Sequence, residues 1–318
     1  MSYQVGSKGP EVEKIQKKLK ERGLYNGPID GIFGGGTEAA VRKFQADNNL
    51  QADGVVGAKT WEALFGGSQI ERAGIATQSL LYRCLALTGS FETNSPIPEC
   101  FSGISGDFDG QGISFGALQW NFGQGSLPPL LKTMASTHKQ VFDQIFGMHA
   151  DVLREVLAED RQDQLDWARS IQSRRFVVNE PWRGQFKSLG RTAEFQKVQM
   201  EAAKDKFERA KTLATSFKLR SERGVALMFD ILTQNGSISA STKAQIFADY
   251  GRIPATASEK EKEVARLRAV ATRRAQSALP EWVHDVLVRK LTVAEGEGTV
   301  HGERYRLAED YGISLNSF

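Results

Sequence analysis

The chain has little with which to brace itself covalently or to hold a metal. Only two cysteines, Cys84 and Cys100, stand among its 318 residues. Two are too few for a disulfide framework, and their spacing fits no zinc motif. They read as reduced core thiols, with a bridge from the helix before Glu92 to the following loop left open. The four histidines (His138, His149, His284 and His301) are scattered, and none makes a His-Glu-x-x-His helix. No catalytic metal and no other cofactor is therefore expected. No apolar run approaches the roughly 20 residues of a membrane-spanning helix. The first ten residues carry no apolar core like that of a secretory signal. The expectation is a soluble chain made in the cytoplasm without a signal peptide and with no stable membrane insertion; to act outside the membrane it would have to be released. An excess of either sign of charge is also lacking: 41 Lys and Arg against 38 Asp and Glu leave a formal net charge of +3. No basic stripe interleaved with aromatics stands out, so nucleic acid is not an expected partner. A monomer is expected.

What is present is ordinary in bulk, with 40% hydrophobic and 25% charged residues, and long enough for two domains. The first part repeats itself. Asp30-Gly31-Ile-Phe-Gly34-Gly-Gly-Thr37-Glu-Ala-Ala40 returns as Asp53-Gly54-Val-Val-Gly57-Ala-Lys-Thr60-Trp-Glu-Ala63. Asp-Gly supplies a tight turn with a positive φ, and Thr37 and Thr60 are placed as helix N-caps. Ala40, Val41 and Phe44 then follow helical spacing, as do Val12, Ile15 and Leu19 before the first repeat. Three short helices joined by such turns make a compact bundle with little room for a catalytic cavity. Phe65-Gly66-Gly67-Ser68 reads as the boundary, giving residues 1–66 as one domain and 67–318 as the other.

The run from Val12 through Ile15-Gln16, Asp30-Gly31, Thr37, Phe44-Gln45 and Asp53-Gly54 to Thr60-Trp61 and Leu64 resembles the peptidoglycan-binding domain of bacterial and phage wall hydrolases. That resemblance implies bacterial peptidoglycan as the partner of this module.

The second part reads mainly as helix. An apolar-periodic helix over 75–86 runs into Phe91-Glu92. Gly224 to Leu232 is apolar nearly all round, the mark of a buried central helix. Ser258 is placed to cap a charged helix reaching about Ala278, and Tyr305 to Leu315 reads as a terminal element packed back on this domain.

Between these helices lies the densest chemistry, Gly106-Asp-Phe-Asp-Gly-Gln-Gly-Ile-Ser-Phe-Gly-Ala-Leu-Gln-Trp-Asn-Phe-Gly-Gln-Gly125. It is glycine-rich and short-stepped, so hairpin and loop are expected. Cutting a glycosidic bond needs two carboxyl groups, an acid for the leaving oxygen and a base or nucleophile for the other face of the sugar. Glu92, beside Phe91, is the candidate acid, because an apolar surround favours a protonated carboxyl. Asp107 and Asp109 flank Phe108. In an extended segment they would point the same way and Phe108 the other, although Asp109-Gly110 is also a plain turn signal. Asp107, Gln119 and Asn121 are candidate sugar-binding groups, with Trp120, Phe115 or Phe122 as an apolar floor or as strand packing. Asp230, Gln234 and Asn235 close the buried helix, either as C-terminal caps or as a far wall of a cleft. Trp182 and Trp282 read as core or as sugar platforms.

The order of helix, Glu92, loop, Asp109-Gly-x-Gly-x-Ser114 and long helices resembles the lysozyme-like superfamily, most closely its inverting chitosanase branch. That resemblance implies Glu92 as acid, Asp109 as base and Ser114 as holder of the attacking water. Ser114 stands where that branch has threonine, and Phe115-Gly-Ala-Leu-Gln-Trp120 is similar instead to the Gly-x-x-Gln element of lysozyme and transglycosylase clefts. Together the two parts resemble a modular phage endolysin. The fold class expected is mainly α: a small three-helix bundle joined to a two-lobed, lysozyme-like α+β domain with a small β segment. The function implied is hydrolysis of the peptidoglycan glycan strand. A chitosanase-type hydrolase, a lytic transglycosylase and a non-catalytic wall-binding or virion protein stay open.

Overall fold

In a computed structural model, the described residues are 3–5, 7, 10–66 and 75–318. Gly67 and Ser68 of the expected linker lie outside them. The chain falls into two compact units. One is Met1–Ser79 with Arg306–Gly312, and the other is Leu80–Tyr305 with Ile313–Phe318. The element expected over 305–315 is thus shared, with only Tyr305 and its last residues grouping with the larger unit.

The first unit holds α1 (Pro10–Glu21), α2 (Gly35–Asp47) and α3 (Ala58–Phe65). Val12, Ile15, Leu19, Phe33, Val41, Phe44, Val56 and Leu64 fill its core. The Asp-Gly turns have the expected positive φ, +68° at Gly31 and +75° at Gly54. Thr37 and Thr60 do not cap. The N-caps are Gly34 and Gly57, without side-chain bonds, and each threonine sits buried one turn inside.

A pair of buried glutamines explains the repeat. Gln16 Nε2 donates to Asp30 Oδ1 (2.8 Å), Ile32 O and Thr37 Oγ1, while its Oε1 accepts from the Gly31 amide (2.9 Å). Gln45 does the same with Asp53 Oδ1 (2.8 Å), Val55 O, Thr60 Oγ1 and the Gly54 amide (2.9 Å). Each glutamine thereby supplies the acceptor for a buried glycine amide, Gly31 or Gly54, in an Asp-Gly turn whose other residues are more open. Gln45→Leu takes the acceptor from the buried Gly54 amide, at about 1–3 kcal/mol for such a group, while Asp53, Val55 and Thr60 keep the bonds they make to one another. Hydrogen–deuterium exchange over residues 51–66 should accelerate markedly in that variant. Unchanged protection would show that the glutamine does not hold the turn.

The larger unit is mainly helical. It begins with α4 (Leu80–Thr93), which starts later than the expected helix and carries Glu92 in its last turn. Three two-residue strands follow, β1 (Ile104–Ser105), β2 (Ser114–Phe115) and β3 (Trp120–Asn121). They form an antiparallel sheet that aligns Ser105, Ser114 and Asn121. Then come α5 (Leu127–Thr137), α6 (Lys139–Phe146), α7 (Ala150–Ala158), α8 (Arg161–Ser170), α9 (Trp182–Gly190) and α10 (Ala193–Ser216). After them stand α11 (Glu222–Gln234), α12 (Ala240–Tyr250), α13 (Glu259–Gln276) and α14 (Val283–Glu295). The paired strands β4 (Glu297–Val300) and β5 (Glu303–Arg306) follow, and α15 (Leu307–Asp310) lies in the first unit.

Two groups of helices make the core. Around the small sheet, Phe115 and Phe122 anchor a cluster with Leu131, Phe142, Phe146, Trp182 and Phe186. The expected sugar floor of Phe115 and Phe122 is therefore core, as is Trp182. The second group gathers on α11, which is buried from Gly224 to Ile231 and packs on α4, α10, α13 and α14. Ser258 caps α13 as expected, in a full capping box with Glu261. Cys84 and Cys100 are both buried and free. Burial pushes the Cys100 thiol up to about 12, so it stays protonated.

Candidate active site

Two faces of α4 set the site. Residues four apart share a face of a helix, so Gly89 and Thr93 look one way and Thr88 and Glu92 another. On the first face the helix meets the hairpin. A methyl placed on Gly89 would come within 2.8 Å of Ala117 Cβ, and one on Gly103 would strike Thr93. Gln119 braces the same corner from a left-handed backbone (φ +51°). Its Nε2 donates to Gly116 O (2.9 Å), and its Oε1 accepts from Ser105 Oγ (2.9 Å).

On the second face lies a buried ionic cluster. Arg289 of α14 donates through Nη2 to Glu92 Oε1 (2.6 Å) and to Asp230 Oδ1 (2.6 Å). Its Nε reaches the same aspartate, and its guanidinium lies over the Phe91 ring. Thr88 Oγ1 donates to Asp230 Oδ1 (3.2 Å), and Lys290 Nζ pairs with Asp230 Oδ2. Asp230, expected near the helix end, is fully buried and flanked by a further turn of α11.

Asp230 has two cations for one carboxylate. Burial alone would raise its pKa, but Arg289 and Lys290 outweigh that and hold it at about 2. Each cation must share the one buried anion, so burial still pulls Lys290 down, to about 8. Lys206 of α10 is also lowered by burial, with Glu92 drawing it the other way.

Glu92 is the open end of this cluster. Its side chain is 26% accessible, against 3% for Arg289. The apolar surround expected for Glu92 is not its direct partner; a guanidinium fixes one carboxylate oxygen.

The aspartate pair behaves differently from the extended reading. Residues 107–110 form a turn, with Gly110 at φ +79°. Asp107 is consumed by it: Oδ1 accepts from the Gly112 amide (2.6 Å), Oδ2 accepts from Arg169 Nε (2.8 Å), and its own amide donates to Gln172 Oε1. Asp109 is exposed, and its Oδ1 accepts from the Gln111 amide (3.1 Å).

Of the other candidates, Ser114 is buried in β2, and Trp120 is half-buried against the core. Asn121 is buried, with Oδ1 accepting from the Gln124 amide (2.7 Å). Gln234 joins the ionic cluster to the surface, accepting from Lys290 Nζ (2.7 Å) and donating to Asp285 (3.3 Å). Asp285 in turn meets His301 at 2.6 Å. Asn235 Oδ1 is buried without a hydrogen-bond partner among the described residues, in a cavity of about 540 Å³ with Gln234, Arg274, Trp282 and Asp285. Arg289 and Lys290 escaped sequence reading. A signal did exist: an aspartate inside an all-apolar helix requires a buried cation from elsewhere.

Residues 8–64 match the family described as "Putative peptidoglycan binding domain", and the resemblance read from Val12 to Leu64 is borne out. The spore cortex-lytic enzyme of Bacillus cereus is 40% identical over 70 residues, 22% of this chain and 27% of that protein. Its counterpart in Bacillus subtilis is 43% identical over 76 residues, 24% and 25% of the two chains. The N-acetylmuramoyl-L-alanine amidase CwlM of Mycobacterium tuberculosis is 37% identical over 57 residues, 18% and 14% of the two. The chain thus spans about a quarter or less of the length of these curated relatives. Among solved structures, a chitosanase complex aligns over 71% of this chain and 95% of its own, with a TM-score of 0.43 and 16% identity. A native chitosanase from Bacillus subtilis MY002 aligns over 69% and 88%, with a TM-score of 0.43 and 16% identity.

Proposed function

We propose that this chain is a modular peptidoglycan hydrolase that cuts the glycan strand by acid/base glycoside hydrolysis. The observation that carries the reading is Glu92: an accessible carboxylate in the last turn of α4, fixed through one oxygen by a buried arginine that is itself pinned by Asp230. Such a side chain meets the demand that a catalytic group be held in one geometry before substrate arrives.

In this reading the oxygen of Glu92 that Arg289 does not hold carries the proton for the leaving oxygen. Asp109 activates the water on the opposite face, and Ser114 shares that water. The mechanism is inverting, because the base acts on water and not on the sugar. Gln119, Trp120 and Asn121 line the hairpin side, and Gln234 and Asn235 the α11 side. The domain division at residue 66 follows from the same reading, with the N-terminal module supplying affinity and no chemistry. Support for the wall as target comes from the module match and from relatives that are a spore cortex-lytic enzyme and an N-acetylmuramoyl-L-alanine amidase. Because a tethered module raises local concentration on a polymer, the isolated module should sediment with purified sacculi. A module left wholly in the supernatant would remove the affinity role.

The two aspartates give the sharpest test within the site. Asp107 is tied to Gly112 and Arg169, while Asp109 faces solvent. Asp109→Asn should lower glycan hydrolysis by about a hundredfold or more, the scale of a lost general base. Asp107→Asn should act on stability first and leave much of the activity in the folded fraction. The reverse ranking of specific activities would move the base to Asp107.

A further inference from the structure

The aromatic side chains offered by residues 115–122 do not reach solvent freely, since Phe115 and Phe122 are fully buried and Trp120 packs on the same core. The exposed aromatic here is Phe108. It is 71% accessible at the tip of the 107–110 turn, and its ring meets that of Phe176 edge-on, with centroids 5.4 Å apart at 61°. Phe176 is itself 43% accessible and has φ +57°. A bulky residue in the left-handed region carries a cost of about 1 kcal/mol or more and persists only where its surroundings hold it.

Those surroundings are visible. A Cβ on Gly106 would collide with the Phe176 carbonyl, so the two loops approach closely only because residue 106 is glycine. Gln172 ties the Asp107 amide to α8, accepting from it and donating to Ala168 O (2.8 Å). Asp107 and Arg169 close the turn from the other side, with Arg169 also donating to Gly110 O (3.0 Å). The fold therefore fastens a turn whose outward residues are an aromatic and a carboxylate.

We propose that Phe108 and Phe176 form a shelf that stacks one N-acetylated aminosugar ring of a glycan strand beside Asp109. This rests on the reading of Asp109 as the base. A pyranose ring offers a C–H face that packs on an aromatic plane, and an acetyl methyl adds apolar area. Charge selects among aminosugars. Arg174 and Arg175, both exposed, immediately precede Phe176, and Asp107 is already paired with Arg169. A polymer of free glucosamine would bring ammonium groups near these two exposed cations, with the single Asp109 carboxylate drawing the other way. A neutral N-acetylated strand with carboxylate-bearing peptides would not.

The test has a kinetic and a binding arm, both on the full chain. Phe108→Ala should raise KM for soluble N-acetylated glycan about fivefold or more, the scale of one lost aromatic contact, with kcat within about twofold. Phe108→Tyr should retain the wild-type KM. In titrations of the Glu92→Gln chain, the N-acetylglucosamine tetramer should bind at least about fivefold more tightly than the glucosamine tetramer; Phe108→Ala should weaken the N-acetylated tetramer by about fivefold, and a joint Arg174→Ala and Arg175→Ala change should erase most of the margin. The shelf is overturned by an unchanged KM in a normally folded Phe108→Ala, by a loss confined to kcat, or by tighter binding of the glucosamine tetramer. Wild type that cleaves no glycan yet shows the binding preference and its loss would sink the hydrolase reading and leave the shelf standing. Cleavage unaffected by Phe108→Ala would do the opposite.

Discussion

Glu92→Gln should lose at least about a hundredfold in the rate of glycan cleavage, the scale of a missing general acid, while folding like the parent. The amide keeps the shape of the carboxyl and can still accept from Arg289 through its oxygen, so the 2.6 Å contact has a successor. What it cannot do is deliver a proton to a leaving oxygen. Steady-state rates on purified peptidoglycan, with circular dichroism to match the folds, check this. A folded variant that keeps most of its rate would take the acid role from Glu92 and with it the proposed mechanism.

The second large effect concerns stability. Asp230→Asn should destabilise the larger unit by about 3–5 kcal/mol, because removing one member of a buried ion pair leaves its partners charged and uncompensated. Here Lys290 loses the anion it pairs with, and Arg289 is left with the partly exposed Glu92. The sign of the pH dependence follows from the lowered pKa of Asp230. Its contribution is fully present above the unfolded-state value near 4 and is lost as pH falls through the folded value of about 2. Urea unfolding midpoints should therefore fall between about pH 4 and pH 2 in wild type more steeply than in Asp230→Asn. Equal midpoints at neutral pH and parallel acid limbs would show that the cluster contributes nothing to the fold. Because Arg289 also orients Glu92, the folded fraction of this variant should be slower as well.

The N-terminal module was legible because its physics is repeated within 66 residues. Two Asp-Gly turns and two matched threonines give both a fold and a family resemblance. The threonines were misplaced: Gly34 and Gly57 stand at the N-caps, each three residues ahead of its threonine, and the bonds that hold Thr37 and Thr60 come from Gln16 and Gln45. The buried α11 and the capped α13 were legible from periodicity and from Ser258 with Glu261. The ionic cluster was not. Arg289 lies 59 residues from Asp230 and 197 from Glu92 in sequence, so no local pattern joins them. The aspartate turn was half legible: Asp109-Gly110 signalled it, but only the contacts of Asp107 with Gly112 and Arg169 separate the structural aspartate from the exposed one.

Hydrolysis of the glycan strand through Glu92 is read from the masses of the fragments that the full chain releases from purified sacculi. Wild type should release saccharide fragments with new reducing ends, each heavier by one water than its anhydro counterpart, and Glu92→Gln should release none. Anhydro-sugar ends would make the chemistry that of a transglycosylase acting through one carboxyl. Release of peptides from intact glycan, or no release at all, would contradict glycan hydrolysis outright.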